Sequence, residues 1–196
     1  MKFLLFYFLL TFSLLAGELK LQSASVSAHT SVLGDSNIDP KNEHLRTKLL
    51  MDGSDITSIK GKVSLEMALF KSDKADRDAN MYETLNIDKY LYSTYTIHRT
   101  IATKTPNLYL LQGELELHGV KQPLEFKARI TQDEVTLSID ASSTINVQDY
   151  KIEMPCLLGF TLCVDENVAI KAVAIFKKDS LSNTIKHYVD KMISLY

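Results

Sequence analysis

In LQGELELHGVKQPLEF (111–126), Glu114, Glu116 and His118 fall at every second position, so an extended chain puts two carboxylates and an imidazole on one face. These residue types can hold a divalent metal or act as paired acid and base. Alternate side chains on a strand stand ~7 Å apart, however, and a flat strand face does not bring them together around one ion. The next segment, PLEFKARI (123–130), carries Glu125, Lys127 and Arg129 at the same period. Acids on one strand can then pair with bases on its neighbour across a solvated surface, for a few tenths of a kcal/mol each, about the worth of an exposed pair. The row reads as the wet outside of a hairpin that turns across Gly119 to Pro123, with Leu115 and Leu117 beside Phe126 and Ala128 on the apolar face.

Other chemistry-bearing patterns are few. Cys156 and Cys163 lie in PCLLGFTLCVDE with Gly159 between them. In an oxidising compartment this spacing can close a disulfide loop of about eight residues, worth ~2.5 kcal/mol on the chain-entropy estimate. Two buried thiols are the equal alternative, and no CxxC pair accompanies them to suggest zinc. There is no GxSxG, HExxH, GxGxxG or Gly-rich phosphate loop. His29, His44, His98, His118 and His187 are scattered along the chain. No catalytic residue, metal or cofactor is expected, so the function must be sought on the apolar faces.

The 196 residues carry a net charge of −2, with Lys and Arg dispersed, so no basic stripe exists for nucleic acid. MKFLLFYFLLTFSLLAG (1–17) has one Lys, an apolar run from Phe3 to Ala16 and small residues at its end. It reads as a secretory signal cut near Gly17, too short for the ~20 apolar residues of a membrane span. Cleavage removes Lys2 and leaves a mildly acidic protein, exported to the periplasm, with no stable membrane insertion.

Period-two alternation then recurs, as in half-buried strands. It marks 62–70 (Val63, Leu65, Met67 and Leu69 on one side), 94–101 (Tyr95, Ile97), 107–117 (Tyr109, Leu111, Leu115, Leu117), 124–130 (Leu124, Phe126, Ala128, Ile130) and 134–142 (Val135, Leu137, Ile139). Residues 168–178 are apolar almost throughout, so their inward face is ambiguous. Strands near 19–28 and 145–152 bring the total to about eight, and strands without long intervening helices imply an antiparallel barrel or sandwich. The polar segment 71–90 reads as a loop with a short helix near Ala79 to Leu85. In residues 179–196, Leu181, Ile185, Tyr188, Met192 and Leu195 recur at helical spacing behind an N-cap at Asp179 or Ser180. This predicts a C-terminal amphipathic helix that docks on the barrel wall or a partner subunit, with a membrane surface as the lesser alternative.

Two stretches resemble the YceI family of exported, lipocalin-like lipid-binding proteins. LQGELELHGVKQPLEFKARI is similar to that family's strand–HGV–Lys–x–Pro–strand hairpin. SIKGKVSLEMALFKSDKADRDANMYETLNIDKY is similar to its strand followed by Arg-Asp-x-x-Met and a short helix, though Asn80 stands where the family usually has His. The segment DYKIEMP…VDENVAIKA fits its final hairpin less specifically. The resemblance covers roughly residues 56 to 177; Cys156, Cys163 and the tail are additions to it. It implies an eight-stranded antiparallel β-barrel, spanning 18–178, around a long isoprenoid or acyl chain, and a homodimer.

The expected function is a periplasmic carrier for a long-chain isoprenoid, quinone or fatty-acyl compound, bound as ligand rather than cofactor. Each buried CH₂ is worth ~0.8 kcal/mol, so a chain of about 20 carbons gains ~16 kcal/mol gross. Even after the losses of binding, no polar site is needed. The expected lining is Leu65, Met67, Tyr95, Ile97, Tyr109, Leu111, Leu115, Leu117, Phe126, Ala128, Val135 and Leu137, with Leu157 and Phe160 at the mouth. Taken singly, each of these is more often plain core than ligand contact, and it is the size of the set together with the family resemblance that favours a cavity. Arg77, in the Arg-Asp-x-x-Met motif with Asp78 and Met81, faces an anionic head group or pairs with Asp78 or another loop carboxylate. The rival readings are an interaction protein with a filled core acting through its tail helix, and an enzyme acting on a bound lipid.

Overall fold

The computed structural model describes residues 17–32, 36–157 and 162–178. Eight long strands close into a ring: β1 (Gly17–Val32), β4 (Leu45–Asp52), β5 (Asp55–Glu66), β6 (Tyr92–Ala102), β7 (Leu108–Leu117), β8 (Val120–Gln132), β9 (Thr136–Asn146) and β12 (Asn167–Lys177). Each pairs antiparallel with its neighbour, and β1 closes the barrel by pairing β12 along Lys20–His29 while its first three residues pair β4. Closure pairs most of the strand edges, although the β1–β4 seam is paired only at Gly17, Glu18 and Leu19. Short strands β2 (Ser36–Ile38) and β3 (Lys41–Asn42) flank β1, and β10 (Cys156–Leu157) pairs β11 (Leu162–Cys163) as a separate ribbon. One helix, α1 (Ala75–Thr84), lies in the β5–β6 connection.

The barrel is filled at one end. Leu19, Met51, Ile56, Ile59, Ile130 and Leu137 are buried there and form a solid floor. At the other end α1 is tied down by Tyr82, whose hydroxyl donates to Ala68 O (3.0 Å) and Phe70 O (2.6 Å). Buried Asp78 accepts from Ser72 N at 2.7 Å and, with Asp76, puts acids in the first turn, where the helix dipole favours them.

Several elements differ from the expectations, each for a local reason. β4 replaces a predicted strand: LRTKLLMD does alternate, but exposed Leu50 between buried Leu49 and Met51 hides the period. The supposed strand 145–152 is the end of β9 followed by a 3₁₀ turn (Val147–Tyr150). Its Val147, Tyr150 and Ile152 are buried as single contacts from a turn and not as one face of a strand. β5 ends at Glu66, and a 3₁₀ turn (Met67–Leu69) rotates Leu69 outward to solvent. α1 begins four residues before the predicted start.

The hairpin at the head of the chemistry question is tighter than expected. Leu117 pairs Val120, leaving His118 (φ 51°) and Gly119 (φ 72°) as a two-residue turn with positive φ at both positions, the geometry that suits twisted strands. His118 therefore leaves the row of Glu114 and Glu116. Its Nδ1 lies 3.1 Å from Tyr150 O, and its ring sits 4.3 Å from that of Tyr90. A side chain at Gly119 would meet the Tyr90 ring at 2.6 Å. Glu114 and Glu116 both pair with Lys121, at 3.8 and 3.6 Å, on the outer surface. Among the described residues no three His, Cys, Asp or Glu side chains are grouped to hold a metal ion.

Candidate ligand cavity

Between the floor and α1 the barrel holds a cavity of about 510 Å³, within the ~300–1,000 Å³ common for small-molecule sites. Its size follows from side-chain choice on one wall. Ala28 of β1, Ala141 of β9, and Ala172 and Ala174 of β12 face inward where the opposite wall carries Val63, Leu65, Tyr95, Leu111, Leu115 and Phe126. Ala172 lies directly opposite Ala141 in the β12–β9 ladder, so the small residues adjoin and their missing volume is continuous.

Tyr95 shows how the larger residues are set. Its ring packs edge-on against Phe126 with centroids 4.9 Å apart. Its hydroxyl donates to Leu111 O at 2.7 Å and to Leu124 O at 3.0 Å. The ring crosses Gly113, where a Cβ would lie 2.9 Å from its Cζ and 2.0 Å from Thr96 O, so only glycine leaves room. Burial, and then the charge of Glu125, push the Tyr95 phenol well above its ordinary range, and the group is neutral.

Polar side chains line the cavity at six positions: Thr30, Thr47, Arg77, Asn80, Thr84 and Ser93. Arg77, Asn80 and Thr84 are spaced i, i+3, i+7, so α1 presents them as one stripe with Met81. Arg77 Nη1 also bonds the loop carboxylate of Asp73, at 3.0 Å from Oδ1. Ser93 Oγ donates to Glu116 O at 2.9 Å. No buried side-chain nitrogen or oxygen among the described residues lacks a hydrogen-bond partner. Shape and apolar contact therefore dominate what the interior can recognise, with polar contacts confined to these six positions, three of them on α1. Beside the mouth, Cys156 and Cys163 form a disulfide within the β10–β11 ribbon, next to the cavity-lining Met154, Pro155 and Val164.

Of the expected lining residues, Leu65, Met67, Tyr95, Ile97, Leu111, Leu115, Leu117 and Phe126 do face the cavity, as does Arg77. Four require correction. Ala128 and Leu137 point inward but lie in the solid part of the core, and Tyr109 packs at the core's edge. Val135 precedes β9 and is exposed, because the Asp133 turn, and not the strand, sets its direction. The Leu157 side chain, Phe160 and the tail lie outside the described residues. Sequence reasoning missed the wall of Val26, Ala28, Ala141, Ile145 and Ala172, along with Leu49. The alternation of Ala172 and Ala174 with Lys171 was the available signal for the inward face of β12.

The family model described as a YceI-like domain matches residues 18–176. The chain belongs to the YceI family. A UPF0312 protein of Pseudomonas putida (strain W619) is 27% identical over 157 residues, 75% of this chain and 80% of that one. Among solved structures, Burkholderia cenocepacia BcnA superposes with a TM-score of 0.69 at 14% identity, over 78% of this chain and 95% of the other. A polyisoprenoid binding domain from Saccharophagus degradans, implicated in plant cell wall breakdown, gives 0.65 at 13% identity, covering 83% and 98%. The Campylobacter jejuni YceI protein gives 0.60 at 14%, covering 74% and 86%. At these identities the structures share the fold, and they show that the closed eight-stranded barrel is that of this family.

Proposed function

We propose that this YceI protein is a periplasmic carrier that holds one long-chain isoprenoid, quinone or fatty-acyl molecule inside its barrel, acting by binding and not by catalysis. The observation that carries the reading is the cavity itself: an apolar space of about 510 Å³ maintained by inward alanines beside a fully packed floor. An interior meant only as core would fill that volume, because cavities cost stability. The description of the Saccharophagus relative as polyisoprenoid binding agrees with a slender chain as occupant. The signal-like segment 1–17 supports export. Within the cavity the α1 stripe is the place for a head group, with Arg77 facing an anion and Asn80 and Thr84 serving neutral polar groups.

Titration of delipidated protein with a polyprenol, a quinone and a fatty acid tests this reading. At least one should bind saturably at one molecule per barrel, and Phe126→Arg should abolish that binding while circular dichroism still reports a folded barrel. Failure of all three ligands to bind, or unchanged binding by Phe126→Arg, contradicts the proposal.

A further inference from the structure

The outer face of β4 and β5 gathers basic side chains into one strip. Arg46, Lys48 and Leu50 point outward from β4, and Lys60 and Lys62 from β5. The register sets Lys48 directly opposite Lys62, and Leu50 opposite Lys60. Like charges that face each other across a ladder destabilise a sheet. Among the described residues no ion pair relieves these three lysines, and Arg46 reaches only Glu66, at 4.0 Å. The neighbouring acids lie at the borders: Glu18 opposite Leu50 on β1, Asp52 and Asp55 at the floor end, and Glu114 and Glu116 beyond β6, where they pair with Lys121.

Exposed apolar residues flank the lysines at both ends. Leu50 is 40% exposed at one end. At the other stand Leu69, Leu91 and Tyr92, with the Arg46 guanidinium 5.5 Å from the centre of the Tyr92 ring. Single exposed apolar residues are ordinary. Here four gather on one strip, and from Glu66, opposite Tyr92, to Lys60 that strip runs ~20 Å along the strand.

We propose that this wall is a peripheral docking face for an anionic lipid surface. Lysines meet the phosphates of such a surface, and leucines and a tyrosine beside them enter its headgroup layer. A second copy of the chain is disfavoured, because a twofold contact here sets lysines against lysines. Nucleic acid engages the lysines but leaves Leu50, Leu69 and Leu91 in water. Continuity with the cavity also points to lipid. The β1–β4 ladder ends at Leu19 and Leu49, so Leu45–Lys48 have ladder partners only on β5. Leu45 lines the cavity and also a groove on the outer surface, with Glu43, His44, Arg46, Glu66 and Leu69. Docking therefore holds this thin seam of the barrel against the lipid. The choice of a lipid partner rests on the carrier reading, since an apolar ligand is drawn from a membrane.

Co-sedimentation of the mature chain with lipid vesicles tests the docking face. Vesicles of phosphatidylcholine and phosphatidylglycerol at about three to one should bind it at least ~10-fold more tightly than phosphatidylcholine alone, and high salt should remove the difference. Lys48→Gln/Lys62→Gln should weaken that binding ~25-fold, at about fivefold per lysine. Leu50→Ser/Tyr92→Ser should weaken it with little change in salt dependence. Lys127→Gln/Arg129→Gln, which takes the same charge from the outer face of β8, should bind as wild type does. The proposal is overturned by equal binding to both kinds of vesicle, by undiminished binding of either β4–β5 variant, or by an equal loss in the β8 variant. Duplex DNA that competes as well as the anionic vesicles also overturns it, because the lysines then serve any polyanion. Fatty-acid binding in solution should be the same in all four proteins and reads the cavity separately; its loss in wild type faults the carrier reading, whereas its retention beside lost vesicle preference faults only the docking face.

Discussion

Ala172→Phe separates a ligand cavity from a packed core by the sign of its effects. Ala172 faces the cavity directly across from Ala141, so a phenyl ring at 172 projects into open volume and not into neighbouring side chains. The ring displaces roughly five methylenes of a bound chain, and at ~0.8 kcal/mol each that is about 4 kcal/mol, or roughly a thousandfold in Kd. The empty protein, by contrast, should keep or gain stability, because the ring buries apolar surface in a void. In a filled core the same substitution overpacks and costs ~1–3 kcal/mol. Thermal unfolding of delipidated protein and titration with a fluorescent long-chain ligand read the two effects separately. A variant that loses stability yet binds as tightly as wild type refutes the cavity assignment.

Arg77→Gln should weaken a ligand with an anionic head about tenfold or more while leaving a neutral polyprenol unchanged, as measured by competition on the same protein. Equal effects on both ligands would place the head elsewhere. Tyr95→Phe removes the donor to Leu111 O and Leu124 O and should cost about 1 kcal/mol at pH 8 by urea unfolding. Because burial raises the folded Tyr95 pKa above its unfolded value of ~10, the neutral phenol's contribution is whole below that pH and is lost as pH climbs past it. Wild type should therefore lose stability between pH 10 and higher pH more steeply than Tyr95→Phe, and parallel curves would contradict the assignment. Gly113→Ala sets a Cβ 2.0 Å from Thr96 O and should be among the most destabilising single changes in β7, seen as a lower urea midpoint.

The outward face of the β7–β8 hairpin was legible because its charges alternate strictly: Glu114 and Glu116 pair with Lys121, and their inward neighbours Leu115 and Leu117 reach the cavity. Period two carries that information wherever one face is wet. It is weak on β12, where Ala169, Val173 and Ile175 are apolar on the outside as well, which leaves Lys171 and Lys177 to mark the outer face and Ala172 and Ala174 as inward. It fails differently at 145–152, where apolar residues buried from a 3₁₀ turn imitate a strand. The count of eight strands was reached with that segment in place of β4, so the right total rested on two compensating misreadings. The cavity itself was beyond a periodicity argument. Pattern says which side chains face inward, whereas a void depends on how alanines from β1, β9 and β12, distant in sequence, meet on one wall. Ala128 and Leu137 carry the same inward pattern as Leu111 and Phe126, yet the first two are buried in the packed core and the last two line the cavity.

Native mass spectrometry of the mature protein taken from a periplasmic extract, with solvent extraction of whatever accompanies it, tests the central claim most directly. The account predicts one adduct of a few hundred mass units per barrel that partitions into organic solvent and is missing from Ala172→Phe. A bare mass that stays bare after incubation with polyprenols, quinones and fatty acids contradicts it.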